Sequence, residues 1–185
     1  MRGPLREISL TSITPRVTSW TPGDKIQVRV TEDGLTMRTY TPFRWDNATG
    51  DTAILVYLHG AGPGSAWAQG VAAGDAVQIV GPRRSMDLTR FTSAPIIVGD
   101  ETSVGLRVAW TATHPNLEPV RDNFELGANS PTALRALGLE PVYVTREESD
   151  GHLPVLVEHV AAAAEHREVP YPSRLGEHAA VDEHR

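Results

Sequence analysis

AILVYLHGAGPGSAWAQGVA, residues 53–72, is the stretch on which the reading of the chain turns. It opens as an apolar run of strand-like residues ending at His59, breaks at a Gly/Pro-rich turn, and resumes as a short helix with Ser65 as the expected N-cap. A strand, a glycine turn and a helix start, in that order, point unpaired backbone N–H groups at one spot. The helix terminus adds partial positive charge, and the glycines allow close approach, so the segment suits an anion. It matches neither the Walker pattern nor the spaced glycines of the dinucleotide fingerprint, and a plain Gly/Pro turn is the alternative. The G-x-S-x-G nucleophile elbow is also absent, because Trp67 stands where its second glycine would be.

Upstream, LREISL, KIQVRV and LTMRTY, and downstream AVQIVG, read as short strands. The separating TPGD, EDG, NATGD and AAGD are turn-forming, so residues 1–93 are expected to form a compact antiparallel β-barrel. The texture changes near residue 94. APIIVGD has the continuous apolar look of a buried parallel strand, and alternating helix and strand patterns follow as far as LPVLVEHVAAAAEH. Residues 94–165 are therefore expected to be a small, incomplete parallel α/β unit. Residues 166–185, polar and aperiodic, are expected to be a flexible tail.

Bulk properties narrow the function. The 185-residue chain carries a formal charge of −6, which argues against broad nucleic-acid binding. It has no cysteine, so thiolate chemistry and iron–sulfur ligation are excluded, and a cytoplasmic location is expected. Residues 52–74 lack Asp, Glu, Lys and Arg, but HGAGPGS interrupts them, so no membrane span is expected. The histidines show no ligand spacing beyond His159 and His166, and no metal site is expected.

Two further stretches carry chemistry. In TMRTYTPF, residues 36–43, Arg38 and Tyr40 share one strand face about 7 Å apart. Such a pair suits a ligand that is anionic at one point and flat at another, or is an ordinary surface pair. In VGDET, residues 98–102, Asp100 and Glu101 sit at the C-terminal end of a parallel strand, where ligands gather in open sheets. They either face a ligand ring edge or cap the next helix.

Three segments in this order, RTYTPF, LVYLHGAGPGSAWAQGVAAGDAVQIVGPR and IIVGDET, resemble the siderophore-interacting, FAD-binding flavoproteins. That family is related to vibriobactin-utilisation proteins, within the ferredoxin-reductase-like superfamily. The similarity covers residues 20–105 and continues faintly to about 165. It implies that the barrel cradles FAD. By resemblance, Tyr40 stacks against the isoalloxazine ring and Thr41 bonds near its N5 edge. Arg38, Ser65 and backbone groups of Gly64, Ala66 and Trp67 bind the pyrophosphate. His59 lies along the ribityl–phosphate stretch, with Asp100, Glu101 and Thr102 near the ring. The implied activity is that of an NAD(P)H-dependent ferric-siderophore reductase. The family's terminal aromatic Gly-Tyr-Trp signature has no match, and Lys25 is the only lysine available to face a siderophore. The alternative is therefore an FAD-binding protein of a biosynthetic pathway that no longer takes hydride or is reduced by a partner. A homodimer, closing an otherwise open pocket, is expected.

Overall fold

A computed structural model describes residues 3–13, 19–32, 36–117 and 121–165. The expected tail at 166–185 lies outside these residues.

The first half is built from two three-stranded antiparallel sheets. One has the order β1-β5-β4, with β1 at Leu5–Leu10, β4 at Arg44–Trp45 and β5 at Thr52–Tyr57. The other runs β3-β2-β6, with β2 at Lys25–Arg29, β3 at Met37–Tyr40 and β6 at Ile79–Arg83. Ile8, Ile26, Val28, Val30, Ile54 and Val56 fill the space between them, joined by Ala68 from helix α1, Pro63–Gly70. The expected barrel does not close among the described residues. One edge strand, β4, is only two residues long, and another, β6, contains Pro82, which has no N–H to continue a ladder.

Three parallel strands follow in the order β7-β8-β9: Ile96–Gly99, Arg121–Leu126 and Val142–Thr145. Helices α2 (Val104–Thr113), α3 (Ser130–Arg135) and α4 (Leu153–Glu165) connect or follow them, giving the expected α/β alternation. Their core gathers Ile97, Val104, Trp110, Phe124, Leu126 and Leu134. Burying each such side chain contributes about 1.5–3 kcal/mol.

β5 explains why AILVYLH is apolar without a break. Ile54 and Val56 face the core between the antiparallel sheets, while Leu55 and Tyr57, on the opposite face, pack against the α/β core. A strand covered on both sides loses the apolar/polar alternation of a half-exposed one. Leu5 pairs in register with Tyr57 and enters the same α/β core, so the two halves share a seam. A Cβ on Gly105, in the first turn of α2, would lie 3.2 Å from the Thr41 carbonyl, so this helix begins almost in backbone contact with the segment after β3. The cleft described next lies along this seam.

Candidate functional site

The cleft has a volume of about 450 Å³. Arg38, Tyr40 and Thr41 line it from β3 and its exit, and Tyr57 and His59 from β5 and beyond. Gly62, Gly64 and Ser65 contribute from the start of α1, and Thr102, Ser103 and Gly105 from the approach to α2. Segments some 60 residues apart in sequence thus meet around one space, and both helices present their N-terminal ends to it.

The start of α1 differs from the sequence expectation. Gly62, not Ser65, is the N-cap, and Pro63 occupies the first turn. Proline's fixed φ is already helical and its missing N–H would be unpaired there anyway, so it sets the boundary earlier. Ser65 falls inside the helix, almost fully buried. Its hydroxyl accepts from the His59 N–H at 3.0 Å and donates to the His59 carbonyl at 2.7 Å, pinning the glycine turn shut. The Ser65 side chain is therefore committed to the turn. Ala66 N–H donates to the Gly62 carbonyl and is likewise used. That leaves the N–H groups of Gly64 and Ser65 as first-turn donors with no intrahelical acceptor. The helix itself is anchored by Arg6 of β1, whose guanidinium donates to the carbonyls of Ala68 and Val71.

Facing that turn, Arg38 is exposed and donates to the carbonyl of its own neighbour Met37 at 3.0 Å. Among the described residues no carboxylate lies within ion-pair distance of it. Tyr40, half-buried, is backed by Trp67 with ring centroids 6.3 Å apart. Burial raises the Tyr40 pKa, against a smaller opposing effect of the Arg38 charge, so the phenol stays protonated at neutral pH. Gly64 forms the floor between the two. A Cβ there would stand 3.3 Å from Arg38 Cγ and 3.4 Å from the Tyr40 hydroxyl, filling the cradle. Beside it the Tyr57 and His59 rings stack at 5.2 Å. An unpaired guanidinium, two uncommitted amides and a protonated aromatic face around a glycine floor fit a ligand with a negatively charged linker and a flat ring.

The VGDET residues divide. Thr102 lines the cleft. Asp100 turns its carboxylate back, accepting from Thr102 N–H at 2.8 Å and from the Thr102 hydroxyl at 2.5 Å, so it caps the short 3₁₀ turn at Glu101–Ser103. Glu101 is only 1% exposed and points into the α/β unit. One oxygen accepts from Gly127 N–H at 2.7 Å and from the Ser130 hydroxyl at 2.5 Å; the other accepts from Arg146 at 2.7 Å. Burial alone would raise its pKa, but the bonds from Ser130, Gly127 and Arg146 outweigh burial and hold it below the usual glutamate value. The cleft thus gathers Arg38, Tyr40, Thr41, His59, Gly64, Ser65 and Thr102, while Ala66, Trp67, Asp100 and Glu101 stand behind or beside its lining. Tyr57 and Ser103 were not singled out from sequence. The unbroken apolar run of β5 gave no alternation that could have singled out Tyr57.

Residues 11–86 match the family described as the siderophore-interacting FAD-binding domain. No curated protein matches the chain. Among solved structures, a siderophore utilization protein from T. fusca is similar at 23% identity and TM-score 0.54, over 91% of this chain and 78% of that one. The siderophore-interacting protein SipS from Aeromonas hydrophila is similar at 20% identity and TM-score 0.57, over 92% and 70%. Phthalate dioxygenase reductase is similar at 17% identity and TM-score 0.58, over 78% of this chain but only 47% of its own length, so the present chain spans about half of that reductase. At such identities the likeness is one of fold: antiparallel sheets followed by a parallel sheet with helices, as in FAD- and NAD-binding modules of ferredoxin-reductase type. The match over residues 11–86 is thus to an FAD-binding domain family, and it supports FAD as the cofactor.

Proposed function

We propose that this protein is a flavin-dependent oxidoreductase whose cleft holds FAD and passes its electrons to a small-molecule acceptor such as a ferric siderophore. The observation that carries the reading is the convergence of Arg38 with the free amides of Gly64 and Ser65 across a glycine floor, next to Tyr40. In this reading Arg38 and the two amides hold the pyrophosphate, and Tyr40, braced by Trp67, lies against the isoalloxazine ring. Thr41 and Thr102 approach the ring edge. His59, stacked on Tyr57, flanks the ribityl–phosphate stretch. When bound, FAD supplies the redox chemistry, and the chain's own residues bind and orient it.

The reading takes residues 1–93 and 94–165 as the flavin-holding and the reduced α/β units. It also carries the expectations of a cytoplasmic protein and a homodimer, to be checked by cell fractionation and by sedimentation across a range of concentrations. Supplying FAD to the purified protein tests the core of it. The wild type is expected to retain a stoichiometric yellow cofactor that dithionite bleaches. A double Arg38→Ala, Tyr40→Ala protein is expected to stay colourless while folded. Tight flavin binding by that double variant would overturn the assignment.

A further inference from the structure

The C-terminal edge of a parallel sheet is where α/β proteins take phosphorylated ligands, using amides, hydroxyls and arginines presented by the loops after the strands. In this chain the corresponding donors are Gly127 N–H after β8, the Ser130 hydroxyl at the start of α3, and Arg146 after β9. All three already point at one internal acceptor, the Glu101 carboxylate, at 2.5–2.7 Å. We infer that Glu101 occupies from within the place a dinucleotide phosphate would take, and that this edge is closed to a pyridine dinucleotide.

Three surrounding features support the inference. First, Arg146 has no charge to spare. Besides Glu101 it faces Glu125 at 3.6 Å and Asp100 at 4.0 Å, and it donates to the Glu125 carbonyl at 3.0 Å. Second, the loops around it are acidic. Among the described residues of these loops Asp100, Glu101, Glu147, Glu148 and Asp150, with Glu125 near the end of β8, outnumber Arg146, so an incoming pyrophosphate meets repulsion. The flavin cleft has the opposite balance, with Arg38 and Lys25 in its lining and no carboxylate there. Third, the loop after β9 is tied down. His152, 4% exposed, accepts from Glu147 N–H through Nδ1 at 3.1 Å, which leaves Nε2 to donate to Glu125 at 2.8 Å. A loop fastened to β8 in this way is not free to wrap an adenosine.

The consequence for electron supply rests on the FAD reading above; the closed edge does not. Two measurements keep them apart. Calorimetric titration with NADH, NADPH and 2′,5′-ADP, on protein with or without flavin, is expected to show no saturable heat up to about 1 mM, at least 100-fold weaker than a micromolar site. The FAD-loaded protein under anaerobic NADH or NADPH is expected to keep its oxidised spectrum, while dithionite bleaches it. Saturable heat, or bleaching by either nucleotide, would overturn the inference. A colourless protein that gives no heat would overturn the flavin reading and leave the closed edge supported.

Glu101→Ala identifies the closing group, because it releases Gly127, Ser130 and Arg146 together. It is expected to gain measurable affinity for 2′,5′-ADP, at least 10-fold over wild type. Should the alanine variant fail to fold, the near-isosteric Glu101→Gln is expected to show the same gain in smaller measure. A folded variant of either kind with no gain refutes the role given to Glu101.

Discussion

Gly64→Ala separates ligand binding from folding, because the two are expected to move in opposite directions. Gly64 lies in the first turn of α1 and its φ is outside the left-handed region, so alanine is compatible with the backbone. Replacing a helical glycine by alanine stabilises a helix by up to about 1 kcal/mol in the interior, and about 0.5 kcal/mol is a fair expectation so near the end. Against this, the new methyl would sit 3.3 Å from Arg38 Cγ and 3.4 Å from the Tyr40 hydroxyl. The Arg38 contact needs a shift of a few tenths of an ångström, and the arginine is exposed and bonded to Met37, so it yields at small cost. The protein without FAD should therefore be unchanged or stabilised by up to about 0.5 kcal/mol. In the proposed reading, FAD meets the methyl in the cradle through which its pyrophosphate would reach the α1 amides. Losing one charged hydrogen bond there costs about 1.5–3 kcal/mol, or about 10- to 100-fold in Kd. The assay pairs flavin-fluorescence quenching titrations with urea unfolding of the flavin-free protein. An FAD affinity within twofold of wild type would refute placement of the pyrophosphate against α1. A loss of stability above about 1 kcal/mol would refute the claim that the glycine serves the ligand and not the fold.

Arg38→Ala is expected to leave urea stability within about 0.5 kcal/mol, as for an exposed side chain outside any buried network, while weakening FAD by about 10- to 100-fold; thermal shifts with and without FAD separate the two. Ser65→Ala leaves the N–H and carbonyl of the exposed His59 without their shared partner and should cost about 0.5–1.5 kcal/mol in chemical unfolding. An unchanged midpoint would show that the turn is held by other means. Glu101→Gln is expected to cost about 2–3 kcal/mol, below the range of about 3–5 kcal/mol for breaking a fully buried pair, because Arg146 is about a third exposed. The pH sign is definite. Glu101 has a folded pKa below its unfolded value near 4.5, so its stabilisation is present above that value and is lost as pH falls through the folded pKa. Urea midpoints measured from pH 6 downward should fall less steeply for Glu101→Gln than for wild type below about pH 4.5; parallel curves would contradict this.

Much of the architecture was legible because its signals are local. Short strand-like runs bounded by Gly/Asp turns located β1, β2, β3 and β5, and APIIVGD gave a parallel strand at Ile96–Gly99, though as an edge strand with Ile97 buried and Val98 half-exposed rather than a buried one. The proximity of Arg38 and Tyr40 also followed from strand geometry alone. Elements that exist only through partners were not legible. β4 is two residues paired to Ala53 and Thr52, with no pattern of its own. Closure of the antiparallel half into a barrel depends on edges meeting in space, which no single strand's sequence states.

Sequence alone determined where most strands and turns fall, and that a cation, an aromatic and an amide-rich turn are present. Backbone dihedral preferences and side-chain periodicity act over a few residues, so they are written in order along the chain. Only the tertiary structure decided which donors remain free. Ser65 spends its hydroxyl on His59, and Glu101 is drawn inward by Ser130 and by an arginine 45 residues away. Those choices follow from desolvation: a buried carboxylate or hydroxyl must find partners wherever the fold brings them, whatever its neighbours in sequence suggest.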